Sequence, residues 1–126
     1  MGLFQKLMGN ASAVSVEKLQ KEYEPILMDQ ERIEFGFSLI RDVFLFTGKR
    51  LILIDVQGVT GKKKAYKSIP YKSISRFSVE TAGTFDLDAE LKVWISGEDE
   101  PTIDKPFNKS IDVYAVQKLL AEKVCG

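Results

Sequence analysis

The chain contains no histidine. Imidazole is the commonest general base near neutral pH and the commonest metal-binding side chain, so serine and cysteine triads and most zinc sites are excluded. Chemistry built on carboxylates, lysine or magnesium is not. Cysteine is almost as scarce: Cys125 stands alone, which forbids an internal disulfide and agrees with a reducing cytoplasm. Its place beside Gly126 reads as a chain end and not as a nucleophile. Net charge is missing too, because 18 lysines and arginines balance 18 aspartates and glutamates. A generic nucleic-acid binder carries a basic excess to displace counterions, so no nucleic acid is expected as partner. Neutrality also removes the long-range repulsion that opposes self-association. No apolar run approaches the ~20 residues needed to span a bilayer. The opening MGLFQKLMGNAS is too short and too interrupted for a secretory core, and Lys6 stands where a myristoylation motif wants serine or threonine. A cytoplasmic protein is the expectation.

What is present is ordinary globular material, 44% hydrophobic and 29% charged over 126 residues, enough for one core. Leu3, Phe4, Leu7 and Met8 recur at helical spacing before Gly9 and Asn10. A second helix can start at Ser15 as N-cap with Glu17 in its first turn, carry Leu19, Tyr23 and Ile26 or Leu27 as its stripe, and be limited by Pro25. Residues 1–28 thus read as a helical extension.

From Glu31 the period changes to two, placing Ile33, Phe35, Phe37 and Leu39 on one face and Arg32, Glu34, Gly36 and Ser38 on the other. Val43 to Thr47 and Arg50 to Val56 follow around the turn Thr47, Gly48, Lys49, both apolar enough to be covered on two faces. The segment QGVTGKKK from Gln57 to Lys64 reads as an exposed loop. Tyr66 to Ile69 and Ile74 to Thr81 are strands flanking Pro70, which marks an edge or strand end. Leu91, Val93 and Ile95 alternate with Lys92 and Trp94, and Thr102 to Phe107 forms a last strand after the acidic turn SGEDEP. Helical period then returns, with Val113, Val116, Leu120 and Val124 on one face and Asp112 at the helix start. The expected architecture is a mainly β, α+β fold of about seven antiparallel strands over 29–109, a curved sheet or open barrel plugged by a C-terminal helix over 110–126.

The strings LIRDVFLFTGKRLILID, SIPYKSISRFSVETAGTFDLDAEL and IDVYAVQKLLAEKV, with the MGLFQKLMGNAS start, resemble the bacterial pleckstrin-homology (PH) domain family. The resemblance runs over almost the whole chain. It implies a PH-like split barrel of seven strands capped by the C-terminal helix, and assembly into closed cyclic rings. It implies no catalytic activity, and fold alone does not assign a function.

Gly58, Gly61 and Lys62 to Lys64 miss the Walker spacing and precede a strand, so a solvated hairpin outranks a phosphate loop. Arg41 and Asp42 make the first hairpin connection too short and too balanced for a basic cup, so specific phosphoinositide recognition is not expected. Asp86, Asp88 and Glu90 alternate as a hard cation would want, yet miss the calcium-loop spacing and read as the polar side of a strand start. Charge is segregated: residues 49–76 are basic except for Asp55, and residues 80–104 are mostly acidic. The two stretches can neutralise each other within one sheet or meet between copies. Trp94, on the polar side of its strand, can cover an aliphatic neighbour or anchor an interface, and the interface is preferred.

The sequence therefore supports a non-catalytic binding and assembly module, needing no cofactor and no metal, which pairs with itself as a ring, a pentamer favoured, and recruits another protein. Lys49, Arg50, Arg76, Glu80, Asp86, Asp88 and Trp94 are the candidate contact residues. The competing reading is a peripheral binder of anionic membrane surfaces through the lysine loop and the Phe4 and Leu7 helix.

Overall fold

The computed structural model describes residues 15–39, 41–81, 89–107 and 112–126. The helix expected around Leu3 to Met8 lies outside the described residues. The chain divides into two compact units, one ending at Pro70 and the other running from Tyr71 to Gly126. Among the described residues seven strands form two antiparallel sheets of four and three, ordered β1-β2-β3-β4 and β5-β6-β7, with no closed barrel among them.

In the first unit Ser15 accepts from the Lys18 amide and opens α1, Val16–Glu22. The helix ends before Pro25, where the chain tightens into a 3-10 turn, Glu24–Ile26, so Ile26 and Leu27, expected in the helix stripe, lie beyond it and pack half-buried against the cluster around Leu19. The sheet follows as β1 (Ile33–Ser38), β2 (Val43–Thr47), β3 (Arg50–Gln57) and β4 (Lys63–Pro70). Leu19 and Tyr23 of α1 pack with Ile33, Leu45, Ile52 and Ile54 as one buried cluster. Burial pushes the Tyr23 hydroxyl up to about 12. On the opposite pleat Phe35, Phe37, Phe44 and Phe46 are fully buried, with Phe37 stacked on Phe44 at 5.2 Å and Phe35 edge-on to Phe46 at 5.4 Å. Both faces of β2 and β3 are therefore covered, as their near-continuous apolar runs imply.

The simple alternation expected for β1 is corrected by a bulge. Ile33 pairs with Thr47 but Phe35 pairs with Phe46, so Glu34 is an extra residue and the pleat inverts there. Ile33 joins the α1 side while Phe35 and Phe37 join the aromatic side. Gly36 is then buried against the helix, where a Cβ would come within 2.6 Å of Leu19 Cδ1. The lysine loop is also shorter than read from sequence, since β3 extends to Gln57 and β4 already begins at Lys63.

In the second unit a 3-10 turn, Tyr71–Ser73, leads into β5 (Ile74–Thr81), β6 (Ala89–Ile95) and β7 (Ile103–Phe107). Ala89, Leu91, Val93, Ile103 and Phe107 are buried on one pleat. Asp112 caps α2, Val113–Cys125, by accepting from the Ala115 amide at 3.1 Å, and the helix packs on β5 and on the Tyr71–Ser73 turn. Its buried stripe is Ala115, Val116, Leu119 and Leu120. Val113 and Val124, expected in that stripe, are only half-buried: the docking face is rotated toward Leu119. Lys123 lies over the Tyr71 ring at 5.8 Å.

Candidate interaction surface

A second bulge builds the most distinctive surface feature. Ile74 pairs with Ile95 and Arg76 with Trp94, which leaves Ser75 as the extra residue at the start of β5. The inversion allows Ile74 to be buried while Arg76 stands on the solvent side. There the guanidinium carbon sits 4.4 Å from the centre of the Trp94 ring, a cation–π contact. The pleat carries Ser78, Glu80, Glu90, Lys92 and Asp104 along the same face through the pairs Ser78–Lys92, Glu80–Glu90 and Lys92–Asp104. Lys92 reaches Glu80 at 3.5 Å. Trp94 Nε1 donates to the Asp99 carbonyl at 3.3 Å, tying the acidic turn to the sheet. Gly97, at φ +87, supplies the left-handed step of that turn.

Of the contact residues read from sequence, the fold thus brings Arg76, Glu80 and Trp94 together. Lys49 and Arg50 belong to the other sheet, at the β2–β3 turn, where Lys49 is exposed. Asp86 and Asp88 lie outside the described residues, so the alternating carboxylate row is represented only by exposed Glu90.

Arg50 makes its contacts inside its own unit. Its Nε and Nη2 donate to the two carboxylate oxygens of Glu31 at 2.9 Å each, its second Nη2 contact is the Ile26 carbonyl at 2.7 Å, and Nη1 donates to Ser68 Oγ. Glu31, 2% exposed, also accepts from the Met28 amide and from Thr47 Oγ1. The Arg50 hydrogen bonds hold its carboxyl at about 2, well below the ordinary 4.5, with the Met28 and Thr47 bonds adding to them and burial opposing. No sequence spacing announced this pair. Its signal was one acid at the boundary between helix and sheet and one arginine at the head of an otherwise apolar strand. A polar cleft of about 440 Å³ adjoins it, lined by Gln20, Glu24 and residues 27–32.

A further cationic feature among the described residues is the β3–β4 hairpin. Gly58 and Gly61 take φ +80 and +71, Arg41 donates to the Gly58 carbonyl, and Val59 stands fully exposed at the tip beside exposed Lys62, Lys63 and Lys64.

Comparison with known proteins adds the lineage. Residues 2–124 match the family described as bacterial PH domain. The chain is 56% identical over 121 residues to the uncharacterized protein YjqA of Bacillus subtilis (strain 168), covering 96% of this chain and 97% of that one. The crystal structure of a pleckstrin homology domain from Shewanella amazonensis SB2B superposes with a TM-score of 0.83 at 56% identity, covering 97% and 98% of the two chains. A DUF1696 family protein with a pleckstrin-homology domain from Shewanella loihica PV-4 gives 0.80 at 53% identity, with 92% and 98% covered.

Proposed function

The chain belongs to the bacterial PH domain family, and from that premise we propose that it is a non-catalytic binding and assembly module, which closes into a cyclic homo-oligomer, a pentamer favoured, and recruits a further protein through its outer surface. The observation that carries this reading is the Arg76–Trp94 pair on the polar side of the β5-β6-β7 sheet. Tryptophan and arginine are the residues most enriched among those that dominate protein–protein binding energy. A half-buried indole under a guanidinium on a solvent-facing pleat presents such an anchor already oriented.

Geometry supports association as well. Each open sheet ends in strands paired by the sheet on one side only, β1 and β4 in one and β5 and β7 in the other, and such edges call for cover, charge or a partner. A head-to-tail contact joins two different patches and closes when its rotation divides a circle. Exposed Lys49 and Glu80 contribute charges to such a contact, whereas the Arg50 guanidinium is engaged by Glu31. A cytoplasmic location is proposed from the lone cysteine. The described residues contain no helix long and apolar enough to cross a membrane.

The reading is tested by dilution of wild-type protein and Trp94→Ala in sedimentation velocity. Assembly by wild type that Trp94→Ala weakens by 10-fold or more, on the order expected of an anchor residue, supports it. An unaltered dissociation constant removes Trp94 from the contact.

A further inference from the structure

Most cations of the described residues that lie near an acid or an aromatic ring are engaged within their own unit. Arg50 is held by Glu31, Lys67 lies 3.3 Å from Asp55, Lys92 lies 3.5 Å from Glu80, Arg76 covers Trp94 and Lys123 covers Tyr71. Two clusters of opposite sign remain without an ion-pair partner among the described residues. One is Lys62, Lys63 and Lys64, all exposed on the β3–β4 hairpin. The other lies on the sheet face and turn that carry Trp94: exposed Asp104 and, farther along β6, exposed Glu90 on the face, and exposed Glu98, Asp99 and Glu100 in the turn that the indole N–H holds.

Each cluster also has an apolar element. Val59 projects fully exposed from the hairpin tip, and Trp94 presents a half-buried ring among the acids. An apolar centre within a charged rim is the common anatomy of a protein–protein contact. Both sides are preformed, the hairpin by its two left-handed glycines and the Arg41–Gly58 bond, the turn by Gly97 and the Trp94–Asp99 bond, so little ordering is required on docking.

We infer that the β3–β4 hairpin of one copy, through Val59 and Lys62 to Lys64, docks on the acidic outer face beside Trp94 of the next copy. The inference rests on the assembly reading above and names its two complementary surfaces. Two different patches meet, so the contact is head-to-tail, and it closes into a ring when its rotation divides a circle. The lysines alone would serve an anionic lipid surface equally well. The acidic, tryptophan-bearing face of the same chain decides for a second copy, which brings a complement to each cluster.

The test is light scattering of the purified full chain at low and high salt. Three variants are compared: Lys62→Glu/Lys63→Glu/Lys64→Glu, Glu98→Lys/Asp99→Lys/Glu100→Lys, and the two sets combined. Circular dichroism and melting confirm that each is folded. Either reversal alone is expected to reduce the assembled mass, and the combination to restore it, with salt weakening the wild type and the combined variant alike. Val59→Ser, which leaves every charge in place, weakens assembly in the same direction.

A wild-type assembly whose mass survives both reversals, or a combined variant that stays dissociated, overturns the inference and leaves the assembly reading standing. A monomeric wild type overturns both. Loss of binding to phosphatidylserine vesicles in the lysine variant, with the assembled mass unchanged, assigns the hairpin to lipid and also overturns it.

Discussion

Arg50 grips Glu31 through two parallel hydrogen bonds of 2.9 Å, Nε to Oε2 and Nη2 to Oε1, across 19 residues of sequence. The pair joins the segment that follows α1 to the head of β3, and the same guanidinium holds the Ile26 carbonyl. Thr47 closes the circuit by donating to Glu31 while accepting from the amides of Lys49 and Arg50. A bidentate, fully hydrogen-bonded carboxylate of this kind is stabilising only while it stays ionised.

Acid titration follows directly. The Glu31 carboxyl is lowered from 4.5 to about 2 in the folded chain, so its contribution is complete above pH 4.5 and is lost as pH falls from there toward 2. The span corresponds to about 3 kcal/mol of stability. Urea unfolding across that range shows the decline in wild type and a flatter profile in Glu31→Gln, which is destabilised by about 3 kcal/mol at pH 7.

At Gly36 the helix and the sheet approach closely. A Cβ there meets Leu19 Cδ1 at 2.6 Å, Leu45 Cδ2 at 3.0 Å and the Phe44 carbonyl at 3.1 Å. Gly36→Ala is therefore expected to cost about 1–3 kcal/mol by overpacking, read from the denaturation midpoint. Combining it with Leu19→Val is expected to recover part of the loss.

The C-terminal helix completes the core of its own unit through a narrow stripe. Leu120→Ala, at a fully buried position, is expected to cost about 2–5 kcal/mol. Tyr114→Ala on the same helix, 74% exposed, is expected to stay within ~0.5 kcal/mol of wild type. Thermal melting of the two variants side by side measures the contrast.

Much of this fold was legible because its periodicities are strong. The apolar runs of Val43 to Thr47 and Arg50 to Val56, the Ser15 cap, the helix start at Asp112 and the alternation of Leu91, Val93 and Ile95 all became the elements their patterns imply. The two bulges were not legible. A strict period of two carries no mark of the single extra residue at Glu34 or Ser75, and each bulge is defined only by its partner strand. The Arg50–Glu31 pair was hidden for a related reason: a contact between residues 19 apart depends on the fold that closes it. Trp94 was legible as an anomaly, an indole on the polar side of its strand, but its arginine cover needed the register of β5 against β6.

The mass of the intact assembly tests the proposed ring closure most directly. Light scattering of the purified protein at micromolar concentration and moderate salt is expected to give a single species at a fixed multiple of the 14.2 kDa chain, with fivefold favoured, unchanged as concentration is raised. A monomer contradicts the claim outright, a dimer rejects the ring, and a mass that climbs steadily with concentration shows an open chain in place of a closed one.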